Sequence, residues 1–200
     1  MRTKDPDLRR EDILKAAFGL FTEEGFENVS VESIARKAGI AKGSFYTYFS
    51  SKEQAYEAIV SSIAGKALSA AKEILTQKDA SPKTCIKQYI EWTFHLAAQQ
   101  EQGLKRVLSP EANASQRKIY LAALDEGNRQ MFPLFVDLLQ AGMNKGEFIK
   151  SNAAYTVAFL LGAFRGINVA FYNQLEMDMD ESKAYLYDLL SRLLGADFTH

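Results

Sequence analysis

The sequence predicts an all-α protein of about nine helices, three in a small N-terminal domain and the rest in a larger C-terminal one. Three observations lead there. Apolar residues recur three and four apart through every long segment. Gly25, Gly39, Pro82, Pro110 and Gly146 interrupt those segments, and the cap-type residues Ser30, Ser51 and Asn152 stand where new ones begin. With 200 residues, 47% of them hydrophobic, the chain is long enough for a small module followed by a larger core. The expected division is residues 1–51 and 52–200, with 52–77 as a connecting helix.

Residues 1–7 read as a loose arm, and the first helix is expected from Leu8 to Glu24. Its rows Ile13, Ala17, Phe21 and Leu14, Phe18 form a stripe wide enough to roof two shorter helices. Gly25 stops it. Val31 to Ala38 follows as a short helix, with Ser30 as N-cap and Glu32 in its first turn. Gly39 falls where a left-handed residue is wanted, and a further helix opens near Lys42. Two short helices about a tight glycine turn describe a helix-turn-helix. Phe45 and Phe49, four apart, face inward, which leaves Lys42, Gly43, Ser44, Tyr46 and Tyr48 to a partner.

Charge supports that assignment. Residues 36–52 hold Arg36, Lys37, Lys42 and Lys52 and no acidic residue, although the net charge of the chain is −1. Positive charge confined to one element suits a surface that meets phosphates. Arg36 and Lys37 are weaker candidates, because basic residues on a supporting helix are often only solvated. After this element, Ser51 with Gln54 fits a capping box, and Lys52 in the first turn of the next helix could hold a phosphate together with backbone N–H groups.

The N-terminal part resembles the DNA-binding domain of the tetracycline-repressor (TetR) family of bacterial regulators. The resemblance rests on Ile13-Leu14-Lys15-Ala16-Ala17-Phe18, Phe21, Gly25-Phe26, Ser30-Val31-Glu32-Ser33-Ile34-Ala35, Ala38-Gly39, Lys42 through Phe49, and Ser51-Lys52-Glu53. An ordered pattern of this extent is far more specific than a short motif. By position it implies Ser30, Lys42, Gly43, Ser44, Tyr46, Tyr48 and Lys52 as contacts to double-stranded DNA. One position departs: Ala41 stands where the family usually has serine or threonine, and a missing cap hydroxyl costs ~1 kcal/mol.

In the second domain Thr84 to Gln100 has Ile86, Tyr89, Ile90 and Thr93 on its inner side, with Trp92 one turn above Tyr89. His95 shares a polar row with Gln88 and Glu91 and reads as surface. A short helix is expected at Leu104 to Leu108, then a long one from Ser115 to Met143, interrupted or kinked near Pro133. Tyr89, Trp92, Thr93, Met131, Phe135, Phe164, Asn168 and Phe171 are candidate walls of a cavity for a small hydrophobic or aromatic molecule. Ala153 to Gln174 is apolar nearly all round, with Gly162 and Gly166 keeping one side flat, and the last helix, about Glu181 to Leu194, carries a wide leucine stripe. Gly162, Gly166, Leu186, Leu189, Leu190 and Leu193 are the expected homodimer interface; the resemblance implies a four-helix one.

Little supports an enzyme. Two histidines and one cysteine cannot build a zinc site of the usual ligands, and no glycine-rich phosphate loop occurs. Cys85 reads as a small core residue. Neither metal nor cofactor is expected. No apolar leader opens the sequence, and Arg165, Asn168 and Asn173 interrupt the most apolar segment, so no membrane partner and a cytoplasmic location are expected. The function expected is a ligand-responsive regulator, commonly a repressor, released from a palindromic operator by its effector. The alternative is a DNA-binding dimer that acts through a protein partner or as an architectural factor, and a more distant one is a helical enzyme or binding module. The sequence names no effector, operator or regulated gene.

Overall fold

A computed structural model describes the backbone of residues 5–98, 107, 114–172 and 178–198, and the side chains of these except 97 and 164–172. Among the described residues every regular element is a helix: α1 Pro6–Glu24, α2 Val31–Lys37, α3 Lys42–Phe45, α4 Lys52–Leu75, α5 Pro82–Ala98, α6 Ala114–Asn144, α7 Ala153–Tyr172 and α8 Met179–Leu194. The expected helix at Leu104–Leu108 lies outside them apart from Val107, which is helical and buried. The chain forms two compact units, Met1–Lys66 with Gln100–Leu124, and Ala67–Gln99 with Asp125–His200. The divisions between these units fall inside α4 and inside α6.

In the first unit, α1 starts earlier than expected. Asp5 accepts from the Asp7 N–H at 3.0 Å, and Pro6 fills the first helical position, where its missing N–H costs nothing. Ile13, Ala17, Phe21, Phe26, Val29, Ile34, Phe45, Phe49, Tyr56 and Val107 make one core, with Ile119 and Ala123 packed against it. Tyr56 is fully buried and its hydroxyl donates to the Val107 carbonyl at 2.6 Å, which satisfies the one polar atom that ring brings inside. Burial pushes its pKa above the usual tyrosine value.

The second unit has two clusters. Ile86, Ile90, Leu139, Val157, Leu186, Leu190 and Leu194 belong to the larger; Ala71, Leu75 and Met131 form the smaller, against which Tyr89 and Trp92 pack. α6 runs on through Pro133 rather than being interrupted there, at the loss of the hydrogen bond its missing N–H would have made. Asn152 caps α7 as expected, accepting from the Tyr155 N–H at 3.1 Å. Asp178, three residues before the expected start at Glu181, caps α8, accepting from the Glu181 N–H at 2.8 Å. Cys85 is buried and His95 exposed, as read from the sequence.

Candidate nucleic-acid interface

The helix-turn-helix is built by backbone hydrogen bonds that its sequence dictates. Ser30 caps α2: its Oγ accepts from the Ser33 N–H at 3.0 Å, and the Ser33 Oγ accepts from the Ser30 N–H at 3.1 Å. This is a capping box with serine in the place usually taken by glutamate or glutamine. At the other end Gly39 adopts φ +67°, its N–H donates to the Arg36 carbonyl at 3.1 Å, and the Ile40 N–H donates to the Ala35 carbonyl at 3.0 Å. That pair of bonds closes α2 as a Schellman motif and fixes the direction in which the chain leaves it.

α3 is short. Its regular part ends at Phe45, and turns of i→i−3 type carry Thr47 and Tyr48 before Phe49 bonds back to Phe45 at 3.0 Å. Ala41 offers no side-chain cap, which fits this abbreviated start. Phe45 and Phe49 are buried, their rings 5.7 Å apart, and they pin the element to the core. The opposite side faces water. Lys42, Gly43, Ser44, Tyr46 and Thr47 are exposed, and nothing lies within 4 Å of a Cβ built on Gly43. Tyr46 is 52% exposed and rests edge-on against Phe45. Tyr48 is half-buried and packs partly on the core, so it has less surface to offer than the sequence suggested.

The basic residues differ from one another. Lys42 makes a loose pair with Glu32 at 3.8 Å, both well exposed, and is readily available to an anion. Lys37 is held by both oxygens of Glu23 at 3.0 and 3.1 Å, so its charge is already matched. Lys52 is not turned outward: its ammonium donates to the carbonyls of Phe26 at 2.7 Å and Val29 at 2.9 Å and lies 4.2 Å from the Phe26 ring centre. Arg10 and Thr47 are also exposed near this face and were not among the expected contacts. Arg10 lies 5.0 Å from the Phe49 ring centre, a neighbour no local pattern reveals. Thr47 follows Gly43 by four, and helical spacing alone could have placed it on the open face.

The capping box at the start of α4 is offset. The Ser51 Oγ accepts from the Gln54 N–H at 3.2 Å, but the Gln54 side chain accepts from the Ser50 N–H at 2.6 Å instead of that of Ser51.

The second unit holds a small apolar cavity, partly open to solvent, lined by Ile86, Tyr89, Ile90, Phe135, Leu139, Val157, Leu160, Leu161, Leu190 and Leu194. Of the candidate walls with described side chains, Tyr89 and Phe135 line it and Trp92, Thr93 and Met131 do not. Met131 is buried in the smaller cluster with Trp92 against it, and Thr93 turns its hydroxyl back onto the carbonyls of Tyr89 and Ile90. Phe164, Asn168 and Phe171 lie outside the described side chains. Burial raises the pKa of Tyr89, so its phenol is neutral at physiological pH.

The expected dimer face needs a correction. Leu186 and Leu190 are 8% and 3% exposed and point into the larger cluster, so a partner cannot reach them. The outward row of α8 is Tyr185, Leu189 and Leu193, at 68%, 39% and 40%. On α7 the outward row is Tyr155, Phe159 and Gly162; Phe159 is 78% exposed. Gly166 lies outside the described side chains.

A buried-phenylalanine helix-turn-helix with an open tyrosine, lysine and glycine face, followed by a helical unit with a cavity, defines a DNA-binding transcriptional regulator. Comparison with known proteins agrees: residues 13–59 match the family described as bacterial regulatory proteins, tetR family. The chain is 27% identical over 199 residues to the uncharacterized HTH-type transcriptional regulator YfiR of Bacillus subtilis, covering 92% of this chain and 93% of that protein. It is 27% identical over 172 residues to the nucleoid occlusion factor SlmA of Haemophilus ducreyi, covering 82% and 83%. A solved TetR/AcrR-family regulator from Thermobifida fusca superposes with a TM-score of 0.68 at 26% identity, covering 91% of this chain and 96% of that one. Residues 13–59 thus carry the DNA-binding domain of the TetR family, and the transcriptional regulators YfiR and that of Thermobifida fusca align with the chain over nearly its whole length. Among the described residues no group of side chains could hold a metal ion, and no helix is long and apolar enough to cross a membrane.

Proposed function

We propose that the protein is a homodimeric repressor that binds a palindromic operator through α3 and is released by a small, uncharged, hydrophobic effector held in the second unit. The observation that carries this reading is the pairing, in one chain, of an open recognition face with a cavity whose walls are apolar. Lys42, Ser44 and Tyr46 would meet phosphates and base edges, Gly43 would let DNA approach the main chain, and the exposed Ser30 hydroxyl and the free edge of Tyr48 would add contacts at the margin. One such element reads a few base pairs; two in a dimer, spaced by one turn of DNA (~34–36 Å), read a palindrome. A bacterial operator would place this work in the cytoplasm. An apolar lining selects effectors by shape and greasiness rather than charge.

The test is selection of duplex DNA bound by the purified protein, followed by titration of hydrophobic compounds into the complex. An effector that releases DNA must itself bind more weakly to the operator complex, by the same factor. A calorimetric affinity unchanged by saturating operator would count against release.

A second reading has one specific observation in its favour. The similarity to a protein named a nucleoid occlusion factor extends over most of this chain. A DNA-binding dimer acting through a protein partner, or as an architectural factor, would show operator binding that no compound in the panel relieves.

A further inference from the structure

Lys52 occupies the first position of α4, where a positive charge faces the like-signed end of the helix dipole and is normally disfavoured. The structure resolves this by turning the side chain away, back across 26 and 23 residues, onto the carbonyls of Phe26 and Val29 and the face of the Phe26 ring. Two of its three N–H groups are thereby used on main chain, and the residue is half-buried. Both carbonyls belong to the connection between α1 and α2. The Phe26 carbonyl also accepts from the Val29 N–H at 3.3 Å, so the ammonium closes a turn already formed. The Val29 carbonyl belongs to the peptide whose N–H is that of Ser30, and that N–H donates to Ser33 in the box that starts α2.

We propose that Lys52 is a positioning residue, not a phosphate ligand: it clamps the α1–α2 connection to the start of α4 and so fixes how α2 and α3 are presented to DNA. A compact ammonium suits the task, because it can satisfy two carbonyls and an aromatic face at once. The proposal rests on the DNA-binding reading for its affinity readout and on geometry alone for its second readout.

The test compares Lys52→Met with Lys42→Met in the full-length protein, using a mixed-sequence DNA duplex and a salt titration. Lys42→Met removes an exposed charge and is expected to lower the slope of log K against log salt by about one. Lys52→Met is expected to weaken binding on the order of tenfold at every salt concentration with the slope unchanged. Amide hydrogen exchange supplies the second measurement. In Lys52→Met, protection should fall at Ser33 and Ile34 while the α1 amides of Ala17 and Leu20 keep theirs. A slope lowered by about one in Lys52→Met overturns the proposal, as does unchanged protection at Ser33 and Ile34, or a loss of protection spread evenly through α1. If Lys52→Met does not fold, Lys52→Gln, which keeps N–H donors but not the charge, carries both measurements. If the wild-type protein binds no duplex at any salt, the DNA-binding reading has failed and exchange alone decides the clamp.

Discussion

The Tyr187 hydroxyl donates to the Glu91 carboxylate at 2.5 Å, joining α8 to α5 between residues 96 apart in the chain. Lys183 holds the other carboxylate oxygen at 2.8 Å. The hydrogen bonds from Lys183 and then Tyr187 hold the Glu91 pKa below its ordinary value, while burial and then the bond to Glu91 push that of Tyr187 upward.

The signs give a pH prediction. A depressed carboxyl stabilises the fold above its unfolded pKa and loses that contribution as pH falls; the raised phenol contributes below its unfolded pKa and loses it as pH rises. Glu91→Gln should therefore cost stability at neutral pH, and the cost should shrink as pH falls below 4.5, the ordinary glutamate value. On the alkaline side, wild-type stability should begin to decline above 10.0, where an unfolded tyrosine ionises. Urea unfolding of both proteins across pH checks this. A cost that does not vary with acid would mean that the carboxylate is bystander to the contact. Because Glu91 is largely exposed, the effect is expected at the low end of the range for charged hydrogen bonds.

Two glycines of the helix-turn-helix should behave oppositely. Gly39 has φ +67° with open space about its Cβ, so Gly39→Ala meets only backbone strain, about 1–2 kcal/mol in urea unfolding. Gly43 is helical and open, so Gly43→Ala should leave stability unchanged or raise it by up to about 1 kcal/mol. Gly43→Val should stay folded and lose operator binding, since a branched side chain would stand between main chain and DNA. Normal operator affinity in Gly43→Val would mean that α3 meets DNA by another face.

Tyr46→Ala is expected to cost on the order of 1–3 kcal/mol of operator affinity, with little loss of stability because the ring is half in water. Selection of bound sequences by the variant shows whether one base position per half-site is relaxed. A uniform loss over all sequences would assign the ring to phosphates instead.

On α7 and α8, the inward and outward rows separate folding from association. Leu190→Ala should destabilise the subunit by about 2–5 kcal/mol, as for other buried leucines. Phe159→Glu should leave the subunit folded but monomeric in sedimentation at micromolar concentration, and operator binding should fall with it. A Phe159→Glu protein that remains dimeric would exclude the outward row of α7 from the interface.

Much of the first unit was legible because its signals are local. Ser30, Gly39, Phe45 and Phe49 each announce their role within four residues, and the structure uses them so. Leu186 and Leu189 show where this stops. Both belong to one apolar stripe, and when a helix is apolar over most of its circumference, periodicity cannot say which part meets its own core. Lys52 and Glu91 fail for a different reason. Lys52 reads as a phosphate contact and Glu91 as a solvated charge, and only the fold brings Phe26 and Val29 to the first and Tyr187 to the second. Most walls of the cavity are missed for the same cause: Leu139, Val157 and Leu194 look like any other core residues until their packing leaves space between them.

The aromatic rings of Tyr155, Phe159 and Tyr185 standing in water have a bearing on dosage. A protomer with such a surface is held in check by mass action: pairing grows with the square of protomer concentration while the pool is dilute, and saturates once it is not. If the operator has the two half-sites proposed above, its occupancy then rises more steeply than the amount of protein made. A cell could thus pass from an open promoter to a closed one over a narrow range of synthesis, before any effector is present.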